Sequence, residues 1–187
     1  MFIEHHEIAV DSMGVGENIG GPGSLLKIVP TSGSIECNTF GDGQLNPPYG
    51  TAGGTPGIGG GNYKENKKTG HRIFYSAKSR LIVGEDEMWV GLSTGGGGRG
   101  DPLKRTPENV LESVFDGMVS LKVARDIHGV VINKATMTID YAKTKALRTK
   151  IRKQRGSLPT TYPNRPGAGK WHKSQMKGSE EYLTDTA

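Results

Sequence analysis

At 187 residues, with 33% hydrophobic residues and 29 glycines, the chain can build one core of modest size but not a large one. Its net charge of +5 is unevenly placed: residues 1–100 carry 8 basic and 10 acidic side chains, and residues 101–187 carry 16 and 9. That split argues against a uniformly basic nucleic-acid-binding domain. The single cysteine, Cys37, excludes an internal disulfide or a multi-cysteine zinc site, and no apolar run approaches a membrane span.

The first predicted strand, Phe2 to Val10, closes on the turn Asp11-Ser12-Met13-Gly14. Further strands are predicted at Leu25 to Val29, Ile35 to Phe40, Arg72 to Tyr75 and Met88 to Leu92. The stretches between them read as loops: Gly20-Gly21-Pro22-Gly23, Asp42-Gly43, Pro47-Pro48-Tyr49-Gly50 and Gly53-Gly54-Thr55-Pro56-Gly57. Residues up to about 100 therefore form a β-rich module stitched by glycine loops, with Cys37 as a small buried hydrophobe.

At Thr106 the pattern changes. Thr106-Pro107-Glu108 supplies a capping hydroxyl, a proline suited to the first helical position and an acid near the positive end of the helix dipole. The helix that follows presents Val110, Leu111 and Val114 on one face and stops at Gly117. A second short helix starts after Ser120, packs Val123 and Ile127, and ends at Gly129. Val130 to Ile132 and Met137 to Ile139 pair as a hairpin, and Asp140 caps a third helix running to about Gln154. Its apolar stripe is thin, with Ala146, Leu147 and Ile151 among lysines and arginines. From Gly156 onward the composition suggests an extended tail without a core of its own.

The fold class is therefore α+β, with glycine-loop-rich mixed strands packed on two or three short helices and an extended basic tail. Two regions are expected: a module over residues 1–139, and a basic helix with its tail over residues 140–187. So glycine-rich a chain loses much entropy on folding, which points to a module that leans on partner surfaces.

Several motifs carry residue types suited to chemistry. Gly95-Gly96-Gly97-Gly98-Arg99-Gly100 could form an anion-binding nest with Arg99 adding a charge, or a tight crossing where backbones pack closely. The dinucleotide fingerprint needs a helix to open at the loop, and Asp101-Pro102 intervenes. Gly167-Ala168-Gly169-Lys170 fails as a phosphate loop because Asn164 and Trp171 stand where glycine and Ser or Thr are required. In Glu4-His5-His6-Glu7 the alternation of a strand keeps three metal ligands off any one face. No Ser or Cys sits in a recognisable nucleophile context, so no catalytic or metal residue is assigned. Between Asp140 and Glu180 there are 11 basic residues and no acidic ones. Arg148, Arg152, Arg155 and Trp171 are the candidates for docking an acidic partner, with Tyr141, Tyr162 and Trp171 too sparse for a stacking platform on nucleic acid.

The order of these loops resembles the hydantoinase B family, which includes the second half of 5-oxoprolinase and subunits of acetone and acetophenone carboxylases. Asp11 to Gly23 is similar to the family's first glycine-rich stretch, Pro47 to Gly57 to its second, and Gly95 to Pro102 to its third. The likeness continues through Thr106-Pro107-Glu108, Asp116 to Ser120 and His128 to Val131, and fades near Arg155. Met13 and Ile19 replace the usual glycine and arginine of the first loop, and Ser93-Thr94 replaces the usual Thr-Pro before the third.

The resemblance is to the C-terminal portion of longer proteins, so the expectation is a small, non-catalytic subunit encoded separately. It would assemble, in the cytoplasm, with larger hydantoinase A-like and hydantoinase B-like subunits. What the resemblance implies for such a complex is ATP-driven activation of bicarbonate and of a ketone as an enol phosphate, as in an acetophenone carboxylase-like enzyme. ATP and Mg or Mn would sit on the larger subunits. The alternatives are a hydantoinase or 5-oxoprolinase complex cleaving a cyclic amide, and, from another class, a basic nucleic-acid-binding protein.

Overall fold

The computed structural model describes residues 1–44 and 46–157 and the strand Glu181–Leu183. Ten strands and three α-helices occur among them. In chain order the strands are β1 (Phe2–Ile8), β2 (Ser24–Val29), β3 (Ile35–Thr39), β4 (Gly61–Asn66), β5 (Arg72–Tyr75), β6 (Ser79–Val83), β7 (Glu87–Leu92), β8 (Ile132–Asn133), β9 (Thr138–Ile139) and β10 (Glu181–Leu183). The helices are α1 (Pro107–Phe115), α2 (Leu121–Asp126) and α3 (Tyr141–Arg155). This is the α+β class expected from the sequence.

A six-stranded sheet runs in the order β1-β2-β7-β4-β5-β10, antiparallel except for the β5–β10 pair. The β3–β6 pair lies against one of its faces, where Leu81 and Val83 form a buried cluster with Tyr75, joined by Ile35, Cys37, Ile73 and Trp89. Cys37 is half-buried there, and burial pushes its thiol up from the ordinary cysteine value. A second cluster, Tyr63, Phe74 and Val90, sits elsewhere on the sheet, with the Tyr63 and Phe74 rings 5.0 Å apart.

Three strands depart from the expectation: β4, β6 and β10, the last in the stretch read as an extended tail, where it pairs in parallel with β5. β4, Gly-Asn-Tyr-Lys-Glu-Asn, is too polar to read as a central strand. It holds its place because its charges are paired sideways, Lys64 with Glu87 at 3.0 Å and Glu65 with Arg72 at 2.6 Å, while Tyr63 turns inward. In β6, Leu81 and Val83 point in while Ile82 is 60% exposed, so the apolar run masks its alternation.

The helices begin and end where their caps dictate. The side chains of Thr106, Ser120 and Asp140 accept from the amides of Asn109, Val123 and Lys143 respectively. Gly117, just past α1, takes φ 68°, a left-handed stop that suits glycine. The helical core is Val110, Val119, Ala124 and Val130, and it is closed by Met13 from the first glycine stretch.

Candidate functional site

The glycine stretches, read above as loops stitching strands together, are instead much of the interior. Ser12 to Gly16 and Gly53 to Ile58 are buried throughout. Three extended segments, around residues 12–21, 51–58 and 95–100, lie side by side and bond backbone to backbone. Gly14 N donates to Gly96 O at 2.7 Å and Gly96 N to Gly21 O at 2.8 Å. Gly98 N donates to Thr55 O at 2.9 Å, and Thr55 N to Val15 O at 2.8 Å, so each segment bonds to the other two. Buried backbone groups need such partners, and the segments supply them to one another without forming a sheet.

The spacing explains the composition. A Cβ on Gly97 would lie 1.9 Å from Tyr49 O, one on Gly14 2.1 Å from Thr55 O, and one on Gly98 2.4 Å from Val15 O. Side chains are excluded by neighbouring backbone, so glycine is required for close approach rather than for turning. Two buried hydroxyls close it further: Ser12 Oγ accepts from Gly23 N at 2.7 Å and Thr55 Oγ1 from Val15 N at 3.0 Å.

For the anion-nest candidates Gly95, Gly96, Gly97, Gly98 and Arg99, the amides of Gly96, Gly98 and Arg99 donate to the carbonyls of Gly21, Thr55 and Asn18. Those amides point into the bundle, and the run lies in the close crossing that was the other reading of its sequence. Among the described residues no three His, Cys, Asp or Glu side chains gather as a cation site. His5 pairs with Glu7 at 2.9 Å on the surface of β1. The amides of Gly96, Gly98 and Arg99 are thus committed to carbonyls of the bundle itself.

The third helix is held by arginines. Arg155 donates twice to Asp101, at 2.9 and 3.0 Å, and Asp101 also accepts from Leu103 N at 2.9 Å. Burial pushes the Asp101 carboxyl up, but the Arg155 fork, the Leu103 amide and the nearby charge of Arg152 outweigh it and hold the group below the ordinary carboxylate value. Arg148 donates to His128 O at 3.0 Å and to Arg105 O at 2.7 Å, and Arg152 donates to Leu103 O at 3.3 Å. Arg105 in turn donates to Ser113 Oγ at 3.0 Å. Burial lowers the affinity of both Arg148 and Arg105 for their protons.

The docking candidates Arg148, Arg152 and Arg155 therefore meet the chain's own loop 101–105 and the end of α2, although Arg152 remains exposed. Trp171 lies outside the described residues. Two buried polar side chains, His128 and Thr144, support the helical part. His128 is fully buried with Nδ1 3.2 Å from Pro102 O, an acceptor, so Nδ1 carries the hydrogen. Thr144 is 3% exposed and accepts from Val131 N at 3.0 Å, tying α3 to the helical core where its apolar stripe is thin.

Asp11 joins the bundle to the helices. It has φ 60°, its amide donates to Met118 O at 2.9 Å, and its carboxylate accepts from Ser120 N at 2.8 Å, 109 residues away. Asp tolerates this left-handed conformation better than most residues.

A backbone-bonded glycine bundle wedged between a sheet and a small helical core defines a distinctive module. The chain belongs to the hydantoinase B/oxoprolinase family, whose pattern it matches over residues 1–102. It is 33% identical to the caprolactamase subunit beta of Pseudomonas jessenii, over 79% of this chain and 26% of that one. It is 25% identical to the acetone carboxylase alpha subunit of Xanthobacter autotrophicus, over 95% of this chain and 26% of that one. The nucleotide-free structure of an ATP-dependent acetone carboxylase shares the fold, with a TM-score of 0.67 at 22% identity over 94% of this chain and 27% of that chain. The chain spans about a quarter of the length of the curated relatives it matches. Among the described residues no helix is long and apolar enough to cross a membrane.

Proposed function

We propose that this chain is a small, non-catalytic structural subunit of a multisubunit ATP-dependent ketone carboxylase, acetophenone carboxylase-like in its subdivision. The observation that carries this reading is reach: the likeness to the acetone carboxylase alpha subunit extends over 95% of the chain, past the glycine bundle into the helices. The caprolactamase likeness covers 79%. In this role the buried glycine bundle holds the chain's own sheet and helices together as one module, and the chemistry belongs to the larger subunits. ATP and Mg or Mn are held on those larger hydantoinase A-like and B-like subunits, and the complex works in the cytoplasm.

A second reading is an ATP-dependent complex that opens a cyclic amide, favoured by the higher identity, 33%, to the caprolactamase subunit. Product analysis separates the two. The native complex is incubated with ATP, a divalent cation, bicarbonate and a panel of ketones, and in parallel with hydantoins, 5-oxoproline and lactams. Formation of a β-keto acid supports the carboxylase; ring-opened amino acid with no fixed carbon overturns it in favour of the second reading.

A further inference from the structure

We propose that the outer edge of β1, with the apolar face it shares with β2, is where an extended segment of a larger hydantoinase B-type polypeptide pairs with this chain. The proposal rests on the subunit reading above and adds a surface and a mode of contact to it.

β1 is the end strand of the six-stranded sheet, and among the described residues no strand pairs with its outer edge. All seven of its residues are exposed. Pairing sets Ile3 opposite Ile28, His6 opposite Leu26 and Ile8 opposite Ser24, which puts Ile3, Ile8, Leu26 and Ile28 on one face with His6 between. Ile3 is 50% and Ile8 40% exposed. The β3–β6 pair covers that face only farther along, around Trp89 and Tyr75. Between this cover and Leu26 the face opens into a hollow of about 380 Å³, with the exposed Phe40 among its lining residues.

Proteins usually blunt a free edge with charge, a kink or a covering element. β1 has an irregularity between Ile3 and His5, and its His5–Glu7 pair guards one face, but the opposite face carries the exposed Ile3 and Ile8 with only His6 between them. An open edge of this kind accepts an extended strand, whose main chain supplies the bonds and whose alternate side chains supply the fit. The occupant is taken from the relatives, in which this module is accompanied by much more polypeptide. The relatives are about four times as long as this chain, so most of the polypeptide that accompanies the module in them lies outside it.

The test is a photo-cross-linking residue placed at Ile8 in the full chain, expressed in its native host, with the same residue at the exposed Ala135 of the β8–β9 hairpin as control. Cross-linking from Ile8, and not from Ala135, to a hydantoinase B-type peptide outside this sequence is the expected result. A link to a second copy of this chain, or none while the large polypeptide still co-purifies, overturns the surface and leaves the subunit reading intact. If no hydantoinase-type polypeptide co-purifies at all, both fail. As a second measurement, the exposed double variant I3K/I8K is expected to lower recovery of the large polypeptide at least tenfold with an unchanged far-UV circular dichroism spectrum; unchanged recovery overturns the proposal.

Discussion

Arg155, near the end of the last described helix, grips Asp101, just past the last glycine run, through two parallel hydrogen bonds of 2.9 and 3.0 Å. The side chains are 21% and 10% exposed, so the pair works largely out of water. It fixes the C-terminal end of α3 to the loop that leads out of the glycine bundle.

Breaking the pair by Asp101→Asn leaves a partly buried guanidinium without its carboxylate and is expected to cost about 3 kcal/mol. The sign with pH follows from the lowered Asp101 value. Its contribution is complete above the unfolded carboxylate value of about 4 and is lost as pH falls through the lower folded value. Thermal melts from pH 7 to pH 2 should therefore show wild type and D101N converging only at the acid end. Parallel curves across the range would remove the pair from the account.

Glycine substitutions should divide by backbone clearance. Gly98→Ala sets a Cβ 2.4 Å from Val15 O, in a bundle with no side chain to move aside, and is expected to destabilise by roughly 3 kcal/mol or more. Gly21→Ala, which meets nothing within 4 Å, should be close to neutral. Matched denaturation curves of the two variants measure the difference directly.

Met13 is the fully buried large side chain that the first glycine segment sends into the helical core, alongside the partly buried Ile19, and it packs there with Val110, Val119 and Val130. Met13→Ala should cost about 2–5 kcal/mol, with hydrogen exchange of α1 and α2 amides accelerated along with those of the bundle. Acceleration confined to the helices would show that the two parts are not coupled through this residue.

Asp11 makes a smaller, more local claim. Asp11→Asn keeps an acceptor for Ser120 N and a residue that tolerates φ 60°, and should change stability little. Asp11→Ala loses both and should cost about 2 kcal/mol, read as a lower midpoint in urea.

Local signals in the sequence located much of the fold. The hydroxyls of Thr106 and Ser120 and the carboxylate of Asp140 mark three helix starts, and the structure uses all three. Strands with ordinary β-branched composition, such as Arg72–Tyr75, were legible for the same reason. β4 was not, because its polarity is neutralised by Glu87 and Arg72 on neighbouring strands, a cross-strand fact that the strand's own residues do not hold. The glycine segments were found and their order resembled the family's, and close packing was among the readings of the third, but the burial of the first two was hidden. A glycine that permits a turn and a glycine that permits backbone contact look alike until the other segment is in place. On the basic face of α3, the internal partners of Arg148 and Arg155 were likewise not legible, since they depend on where Asp101, Arg105 and His128 come to lie.

The measurement that bears most directly on the central claim is purification of this chain from native extract, followed by sizing and identification of what accompanies it. The account expects a complex several times the mass of the chain, containing large hydantoinase A-like and hydantoinase B-like polypeptides. Recovery of the chain as a free monomer, stable and without such partners, would contradict it.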